Sequence, residues 1–437
     1  MHDSRVIAET RCYMSDGVIY AASWLLNPDA PPVSGGALFV RNGSVAATGT
    51  LATLRREYAS APVLDFPGSA LLPGFVNAHT HLELTHFPSW RLRSAVDYNP
   101  RRFTDWIIQL IKISRGLTPD DYPPSVLEGV RMCLESGTTA IGEIVTNPAL
   151  AALYHGSPLA GRTYFELLGQ DAGYFSGRLA AATAAALTAD TGAMSCGLSP
   201  HSPYTIGQDR LATVRDTAAA HSLPLSIHLS ESRAEADFIF DGSGDIASSF
   251  YPFVGWDRFL GRPARCSSTE LLDRHGLLTP NTLAVHCVHV SPADACIIKS
   301  RGTHIALCPR SNDLLDVGRA PVHLFKKIGI PLSLGTDSLA SNNSLSLWDE
   351  LRFALEIFPD DLSEADVFRM VTSSGAAALG ISAACGTLKT GMRADFQVVG
   401  KCHGGGERIL ERVMREGALQ ELYVGGACYA GTVPYET

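Results

Sequence analysis

The chain reads Leu72-Pro73-Gly74-Phe75-Val76-Asn77-Ala78-His79-Thr80-His81 where an apolar run ends in two histidines. A short apolar run bounded by turn residues is typical of a buried strand. Alternate side chains on a strand point to the same side, so His79 and His81 converge and can chelate a divalent ion. One such pair arises often by chance, so the interpretation depends on what the rest of the chain supplies.

Further β-prone runs follow, and they alternate with helical stretches such as 124–136, 209–221 and 344–358. This alternation predicts βαβ units and a parallel sheet, and a count of eight strands is the number that closes a (β/α)₈ TIM barrel. The eight predicted strands are Ala70–His79, Thr138–Val145, Arg162–Leu168, Ser195–His201, Pro224–Glu231, Thr282–His289, Thr303–Arg310 and Ile330–Asp337.

Nearly every predicted strand ends on a residue that can bind a metal or move a proton. In a barrel of this kind the C-terminal strand ends meet at one mouth, where the active site lies. Residues far apart in the sequence are therefore expected to be neighbours there: His79, His81, Glu143, Glu166, His201, His228, Glu231, His286, Arg310 and Asp337.

The two ends of the chain show a different pattern of predicted secondary structure. Short β-prone runs flank Asn42-Gly43, which is a strong hairpin signal, and similar runs return at 387–388, 395–399 and 422–424. We expect a discontinuous β-sandwich domain formed by residues 1–70 and 385–437, and a hydrolase barrel domain over residues 71–384.

Composition restricts the class of protein. The 437 residues carry a formal charge of −9 with a pI near 5.9, which argues against a dedicated binder of nucleic acid or anionic membranes. No apolar run approaches a membrane span, the start at residues 1–5 lacks a secretory signal, and the ten cysteines show no C-x-x-C pair. We expect reduced thiols, a cytoplasmic location and, from the usual prior for enzymes, a homodimer.

Four segments together resemble the amidohydrolase superfamily, in the aminohydrolase branch that contains adenosyl and aminodeoxyfutalosine deaminases and related chlorohydrolases. They are Leu72 to His81, His228-Leu229-Ser230-Glu231-Ser232, His286-Cys287-Val288-His289, and Gly335-Thr336-Asp337-Ser338-Leu339-Ala340-Ser341-Asn342. The segments occur in the family's order and span the whole predicted barrel. The resemblance implies a TIM barrel with a flanking β domain built from both termini.

The resemblance also implies a catalytic site. One divalent metal, zinc first and iron second, would be bound by His79, His81, His228 and Asp337. Binding to zinc lowers the pKa of water to about 7, which makes hydroxide available at neutral pH. Asp337 would take the proton of that water, His286 would hold the hydroxide or oxyanion by hydrogen bonding, and Glu231 would carry protons to the substrate ring and the leaving group.

Each assignment has an alternative that the sequence leaves open. Asp337 could cap the next helix, Glu231 could pair with Arg233, and His286 could be a core histidine. His289 is expected to be structural. Glu83 completes an H-x-E motif, but the P-C-x-x-C partner found in cytidine deaminases is missing, so we expect a supporting role for it. The roles of Glu143 and Glu166 stay open.

Loop segments bear on the substrate, which within this branch is most often a purine nucleoside. The stretch around Ser199-Pro200-His201 resembles adenosyl deaminases and implies that His201 contacts the nucleoside, whereas Cys308-Pro309-Arg310-Ser311-Asn312 looks closest to the aminodeoxyfutalosine deaminases of menaquinone biosynthesis. Arg310 could pair with the benzoate of that substrate, or with Asp313 or Asp316. Asp97 is the one acid in the loop at 91–102 that could hold a ribose.

The sequence therefore favours an aminodeoxyfutalosine deaminase that releases ammonia. The alternatives are a deaminase of S-adenosylhomocysteine or 5-methylthioadenosine and an amino- or chlorohydrolase of triazines. A non-enzymatic barrel protein is disfavoured because such proteins tend to lose metal ligands, and this chain keeps the full set.

Overall fold

The computed structural model describes residues 17–402 and 408–429, so the predictions for residues 1–5 and for Cys12 lie outside it. Within these two ranges sixteen strands form two sheets. In chain order the strands are β1 Val18–Leu25, β2 Val33–Ser34, β3 Gly36–Arg41, β4 Ser44–Thr50, β5 Val63–Pro73, β6 Phe75–Thr80, β7 Thr138–Val145, β8 Ala160–Leu167, β9 Met194–Pro200, β10 Leu225–Leu229, β11 Thr282–His286, β12 His304–Leu307, β13 Leu332–Leu334, β14 Phe396–Gly400, β15 Ala418–Val424 and β16 Ala427–Cys428.

The predicted barrel is confirmed. Strands β6 to β13 lie side by side in chain order and pair in parallel. The ends of the sheet approach each other where Thr80 bridges Asp337 and the Asp337 N–H donates to the His79 carbonyl at 3.1 Å. The strands are apolar and buried because helices cover a parallel sheet from outside. This closure places the first and last strand ends, which carry predicted metal ligands, against each other.

Helices fill the connections, and those expected near 124–136, 209–221 and 344–358 are present. The helices are α1 Leu51–Glu57, α2 Phe87–Arg93, α3 Phe103–Arg115, α4 Tyr122–Glu135, α5 Ala172–Thr188, α6 Gln208–Ala220, α7 Arg233–Asp241, α8 Tyr251–Val254, α9 Ser268–Arg274, α10 Pro292–Arg301, α11 Pro309–Leu314, α12 Val322–Ile328, α13 Leu347–Ile357, α14 Glu364–Met370, α15 Ser373–Ala378 and α16 Ile409–Glu416. None of the helices in the described ranges has both the length and the apolar character needed to cross a membrane.

Strands from both ends of the described chain form the second sheet. Its order is β16-β15-β14-β5-β1-β3-β4, with β2 on β1, and only the β1–β5 pair is parallel. The predicted hairpin joins β3 to β4 through Asn42 and Gly43, whose φ angles of 51° and 73° suit these two residue types. The expected β domain is thus one mixed sheet, and the exact domain boundaries stay a prediction.

The predicted strand Ala70–His79 is in fact two strands. Strand β5 runs to Pro73 in the terminal sheet, and β6 begins at Phe75 in the barrel. The chain changes sheets at Gly74, where a Cβ would lie 2.2 Å from Thr139 Oγ1, so only glycine fits this close approach. Both halves are buried and apolar, which is why the sequence pattern did not separate them.

Candidate active site and metal centre

Three imidazoles meet at the C-terminal ends of β6 and β10. His79 Nε2 lies 3.2 Å from His81 Nε2, and the ligand nitrogens of these two rings and of His228 lie within 4.8 Å of one another. Burial, reinforced by His79, lowers the pKa of His81 to about 3, and burial lowers the pKa of His228 well below its usual value. The rings of His81 and His228 are therefore neutral, which is the form that binds metals.

The hydrogen bonds around these rings fit a cation. His228 Nδ1 donates to the carbonyl of His201 at 2.9 Å, so its Nε2 lone pair is bare. His79 Nδ1 is buried and has no partner within the described residues. The Nε2 atoms of His79 and His81, 3.2 Å apart, can share one proton at most, whereas a metal ion would satisfy both lone pairs.

Asp337 completes the cluster. Its Oδ1 lies 3.7 Å from His79 Nε2 and 3.6 Å from His81 Nε2, while its Oδ2 accepts hydrogen bonds from Ser311 and Ser341, each at 2.7 Å. Burial alone would raise the pKa of Asp337, but the hydrogen bond from His79 and the neighbouring histidines hold it well below the usual range. The two serines fix the carboxylate so that its other oxygen faces the imidazoles, and Asp337 caps no helix.

His286 and Glu231 face each other beside this cluster. His286 Nδ1 donates to Asn312 Oδ1 at 2.9 Å, which leaves a buried Nε2 without a hydrogen-bond partner among the described residues, 3.6 Å from Glu231 Oε1. Burial, then repulsion from Asp337, raises the pKa of Glu231 well above its usual value. Burial lowers the pKa of His286 to about 4. The pair therefore combines a carboxyl group whose raised pKa favours its protonated form with an imidazole nitrogen that is unprotonated at neutral pH.

The alternative partner for Glu231 is excluded by the geometry. Arg233 pairs with Asp237 at 3.0 Å instead. The backbone N–H groups of Ser230 and Glu231 donate to the buried carboxylate of Glu235 at 2.8 and 3.0 Å. Glu235 thus holds the turn that carries Glu231.

Several of these strand ends have strained backbone. Ser230, His286, Cys287 and Asp337 have φ values of 51°, 69°, 50° and 59°. Each left-handed non-glycine residue costs roughly 1–3 kcal/mol, and such residues persist where surrounding contacts over-determine them. The turns aim the side chains of Asp337 and His286 at the cluster.

One cavity of about 580 Å³ connects these groups. Its floor includes His81, His228, Glu231, His286 and Asp337. His201 lines it as well, with Nδ1 held by Ser202 Oγ at 3.0 Å and Thr205 Oγ1 at 3.1 Å. Of the residues assigned to metal binding, catalysis or substrate contact, the structure thus brings together all but one.

Arg310 is the exception. Strand β12 ends at Leu307, and α11 begins at Pro309, so the chain turns away before it reaches Arg310. The guanidinium bonds to Asn342 and Asn343 and lies 3.8 Å from Glu350 Oε2, outside the cavity lining. Arg310 therefore does not line the cavity, and its carboxylate partner is Glu350 rather than Asp313 or Asp316.

The residues with open roles separate into two groups. Glu143 Oε1 accepts from the Leu82 N–H at 2.9 Å and from Tyr154 at 2.7 Å, and His289 donates to the Val317 carbonyl at 2.9 Å, so both support the framework. Glu83 and Glu166 instead line the cavity.

The outer part of the cavity is apolar. Helix α3 presents one face to it, with residues spaced three and four apart, and a second wall comes from the segment 250–259. We call this surface the roof; its apolar members are Phe103, Trp106, Ile107, Leu110, Ile111, Phe250, Val254, Trp256 and Phe259.

Sequence reasoning did not assign Ser311, Asn312, Ser341 and Glu235. Ser311, Asn312 and Ser341 lie in segments that carry the family resemblance, 308–312 and 335–342, and Glu235 lies just after the segment 228–232. That resemblance could have indicated that these residues belong to the site, but a single sequence does not show which side chain each of them contacts.

Known proteins are similar to this chain in sequence. A 5-methylthioadenosine/S-adenosylhomocysteine deaminase of Syntrophobacter fumaroxidans is 30% identical over 389 residues, which cover 86% of this chain and 82% of that protein. An aminodeoxyfutalosine deaminase of Deinococcus radiodurans is 30% identical over 340 residues, which cover 75% of this chain and 77% of that protein.

A solved structure has the same fold. The Helicobacter pylori aminofutalosine deaminase in complex with methylthio-coformycin superposes with a TM-score of 0.82 at 24% identity, over 94% of this chain and 100% of that chain. The sequence model of the amidohydrolase family matches residues 70–427, which include all eight barrel strands and every residue of the cluster. The chain therefore belongs to the amidohydrolase family, as its sequence indicated, and is a hydrolase of carbon–nitrogen bonds.

Proposed function

We propose that this protein is a metal-dependent deaminase that replaces the exocyclic amine of a purine nucleoside with oxygen and releases ammonia. One observation carries the proposal: a single cavity holds a cluster of neutral imidazoles with a carboxylate, a neutral acid and a bare imidazole nitrogen. Those are the groups that hydrolysis of an aromatic amine requires. The Syntrophobacter and Deinococcus relatives, both named as deaminases, support it.

His79, His81, His228 and Asp337 would hold the metal. Three imidazole nitrogens and one carboxylate oxygen form a ligand set that suits zinc, with iron as the alternative. When bound there, a divalent metal supplies Lewis acidity and brings the pKa of water to about 7.

The protein's own groups would then move the protons. Asp337 is ionised and can accept a proton of the attacking water. His286 Nε2 can accept a hydrogen bond from that water, because Asn312 keeps the ring's proton on Nδ1. The raised pKa of Glu231 favours its protonated form, so it can give its proton to the ring nitrogen as the tetrahedral carbon forms. Glu231 can then take up the proton of the tetrahedral hydroxyl and pass it to the departing amine as the carbon–nitrogen bond breaks, and the proton that Asp337 took from water restores the protonated Glu231.

The leading substrate is aminodeoxyfutalosine, whose benzoate would lie under the roof. Two exposed arginines, Arg115 and Arg258, line the same cavity, and the Arg258 guanidinium lies 4.7 Å from the ring centroid of Phe259. An aromatic ring beside a guanidinium suits a benzoate, so we assign to Arg258 and Arg115 the contact with the benzoate that was expected of Arg310. His201, beside the cluster, would contact the nucleoside.

A second candidate is the deamination of 5-methylthioadenosine or S-adenosylhomocysteine. The roof also suits a methylthio group, and the Syntrophobacter relative covers more of the chain. A triazine substrate remains a lesser alternative. The homodimer, the cytoplasmic location and the menaquinone assignment stay predictions.

The test is ammonia release by the purified protein after elemental analysis of its metal. The panel contains aminodeoxyfutalosine, 5-methylthioadenosine, S-adenosylhomocysteine, adenosine and a triazine, with Asp337→Ala and the cavity variant Arg258→Gln alongside. We expect turnover of nucleosides, highest for aminodeoxyfutalosine, abolished by Asp337→Ala and weakened by Arg258→Gln for the benzoate substrate alone. Turnover of triazines alone, or none with metal bound, contradicts the proposal.

A further inference from the structure

Two buried carboxylates that the proton chemistry does not use face the same cavity. Glu83 lies in a 3₁₀ turn, Leu82–Leu84, that directly follows His81, and Glu166 lies on β8. Each side chain is only 6% exposed, and both line the cavity beside His81 and His201. Buried carboxylates are costly unless they are hydrogen bonded, so their presence here needs a reason.

A rigid framework holds both carboxylates from behind. The Thr146 N–H donates to Glu83 Oε2 at 3.1 Å, and Thr146 Oγ1 donates to Glu166 Oε2 at 3.0 Å. Arg178 donates to the backbone carbonyls of Thr146 and Glu166 at 3.2 and 2.9 Å. In contrast, Oε1 of each carboxylate has no hydrogen-bond partner in the part of the chain that the structure describes. Each carboxylate thus keeps one acceptor oxygen available to a ligand.

We propose that Glu83 and Glu166 form a clamp for the vicinal diol of a ribose, each accepting a hydrogen bond from one hydroxyl. The inference rests on the proposed nucleoside substrate and deepens it. A neutral diol offers two adjacent donors, which suit two carboxylate oxygens held by one threonine. The Arg178 guanidinium behind the pair offsets part of its negative charge. The two acids also belong to no cluster of metal-binding side chains within the described residues.

The clamp takes the place of the loop acid that the sequence suggested. The side chain of Asp97 is 99% exposed, pairs with Arg91 at 3.3 Å and does not line the cavity. Asp97→Asn is therefore the matched control for Glu83→Gln and Glu166→Gln, since it makes the same chemical change outside the cavity.

The first experiment compares the kcat/KM of adenosine with those of 2′-deoxyadenosine and 3′-deoxyadenosine. In the wild type we expect roughly a 10- to 100-fold preference for adenosine, the range for loss of a hydrogen bond to a charged group. Glu83→Gln and Glu166→Gln should each reduce at least one of these ratios about fivefold, because a neutral acceptor binds a hydroxyl about half as strongly. Asp97→Asn should leave both ratios unchanged.

The second experiment measures binding without turnover. The dissociation constants of inosine and 2′-deoxyinosine are determined by calorimetry for the same four proteins, after circular dichroism confirms that each is folded. A preference for inosine that weakens in the Glu83 and Glu166 variants supports the clamp even if no ammonia is released. The lack of ammonia release would contradict the deaminase proposal but not the clamp. Equal binding of both ligands to the wild type, or a preference that survives in both glutamine variants, overturns the clamp and leaves deamination untouched.

Discussion

The orientation of His286 can be tested by changing one residue that touches neither metal ligands nor substrate. Asn312 Oδ1 accepts a hydrogen bond from His286 Nδ1 at 2.9 Å, and both side chains are buried. This bond keeps the proton off Nε2, which lies 3.6 Å from Glu231 Oε1. Asn312→Leu preserves the approximate volume and removes the acceptor.

The size of the effect follows from the lost bond. A buried N–H without a partner costs about 1–3 kcal/mol. The ring can avoid that cost by moving its proton to Nε2, where Glu231 can accept it, so the tautomer needed to bind water becomes the minor one. At about 1.36 kcal/mol per tenfold change, kcat should fall roughly 5- to 150-fold.

The assay combines ammonia release with elemental analysis and urea unfolding. We expect kcat to fall while bound metal stays at the wild-type level, since Asn312 bonds to none of His79, His81 and His228. Asn312→Asp restores the acceptor and should retain kcat within about fivefold. Wild-type kcat in a metal-loaded Asn312→Leu protein would refute the proposed orientation, and equal losses in both variants would show only that the position tolerates no change.

Three further predictions concern the roof and the ion pair outside the cavity. Leu110→Ala removes part of the roof. In steady-state kinetics the KM for the methylthio nucleoside should therefore rise roughly tenfold, while the KM for adenosine stays unchanged. Equal changes in the two KM values would contradict an apolar subsite. Arg310→Ala should leave the KM for the benzoate substrate unchanged but lower the free energy of unfolding by about 0.5–1.5 kcal/mol, because Asn342 and Asn343 lose the hydrogen bonds of the guanidinium while buried Glu350 keeps those from the Arg310 N–H and Asn342; a raised KM would return Arg310 to the site. Burial raises the pKa of Glu350 from 4.5 to about 8, so between these pH values the unfolded chain binds fewer protons than the folded protein. The free energy of unfolding of the wild type should therefore fall as pH rises from about 4.5 to 8. Glu350→Gln should lessen the difference in unfolding free energy between pH 5 and pH 9 by more than about 1 kcal/mol in urea titrations, and an unchanged difference would show that Glu350 is ionised when folded.

The barrel was predictable because its pattern is repeated eight times. Each barrel strand is short and buried, and nearly every one carries a polar residue at or just beyond its C-terminal end, so the order of the strands alone placed His79, His228 and Asp337 at one mouth. The switch of sheets at Gly74 was not predictable from the pattern. Strands β5 and β6 are equally apolar, and what separates them is the close approach of Thr139, a contact between residues 65 positions apart.

The site was predictable only where a side chain projects from a strand end. Arg310 was misplaced because the apolar run before it continues past the point where the strand stops and Pro309 starts a helix. The residues that orient Asp337 and His286 are Ser311, Ser341 and Asn312, which are ordinary polar types in loops or short helices. Their partners are fixed by left-handed turns at Asp337 and His286, and although aspartate and histidine enter that region more often than most residues, they do so too rarely for the sequence to predict these two turns.

The cavity's floor and roof have different origins in the chain. The floor is built from strand ends, whose positions follow from barrel geometry, so its chemistry is constrained wherever this barrel is kept. The roof comes from the two longest connections between barrel strands, residues 81–137 and 230–281, which contribute α3 and the segment 250–259. These connections can change in length and sequence without disturbing the barrel. The identity of the 5′ substituent should therefore be decided by residues such as Leu110 and Trp256, while Glu83 and Glu166, fixed near strand ends, should bind the part of the substrate that does not vary.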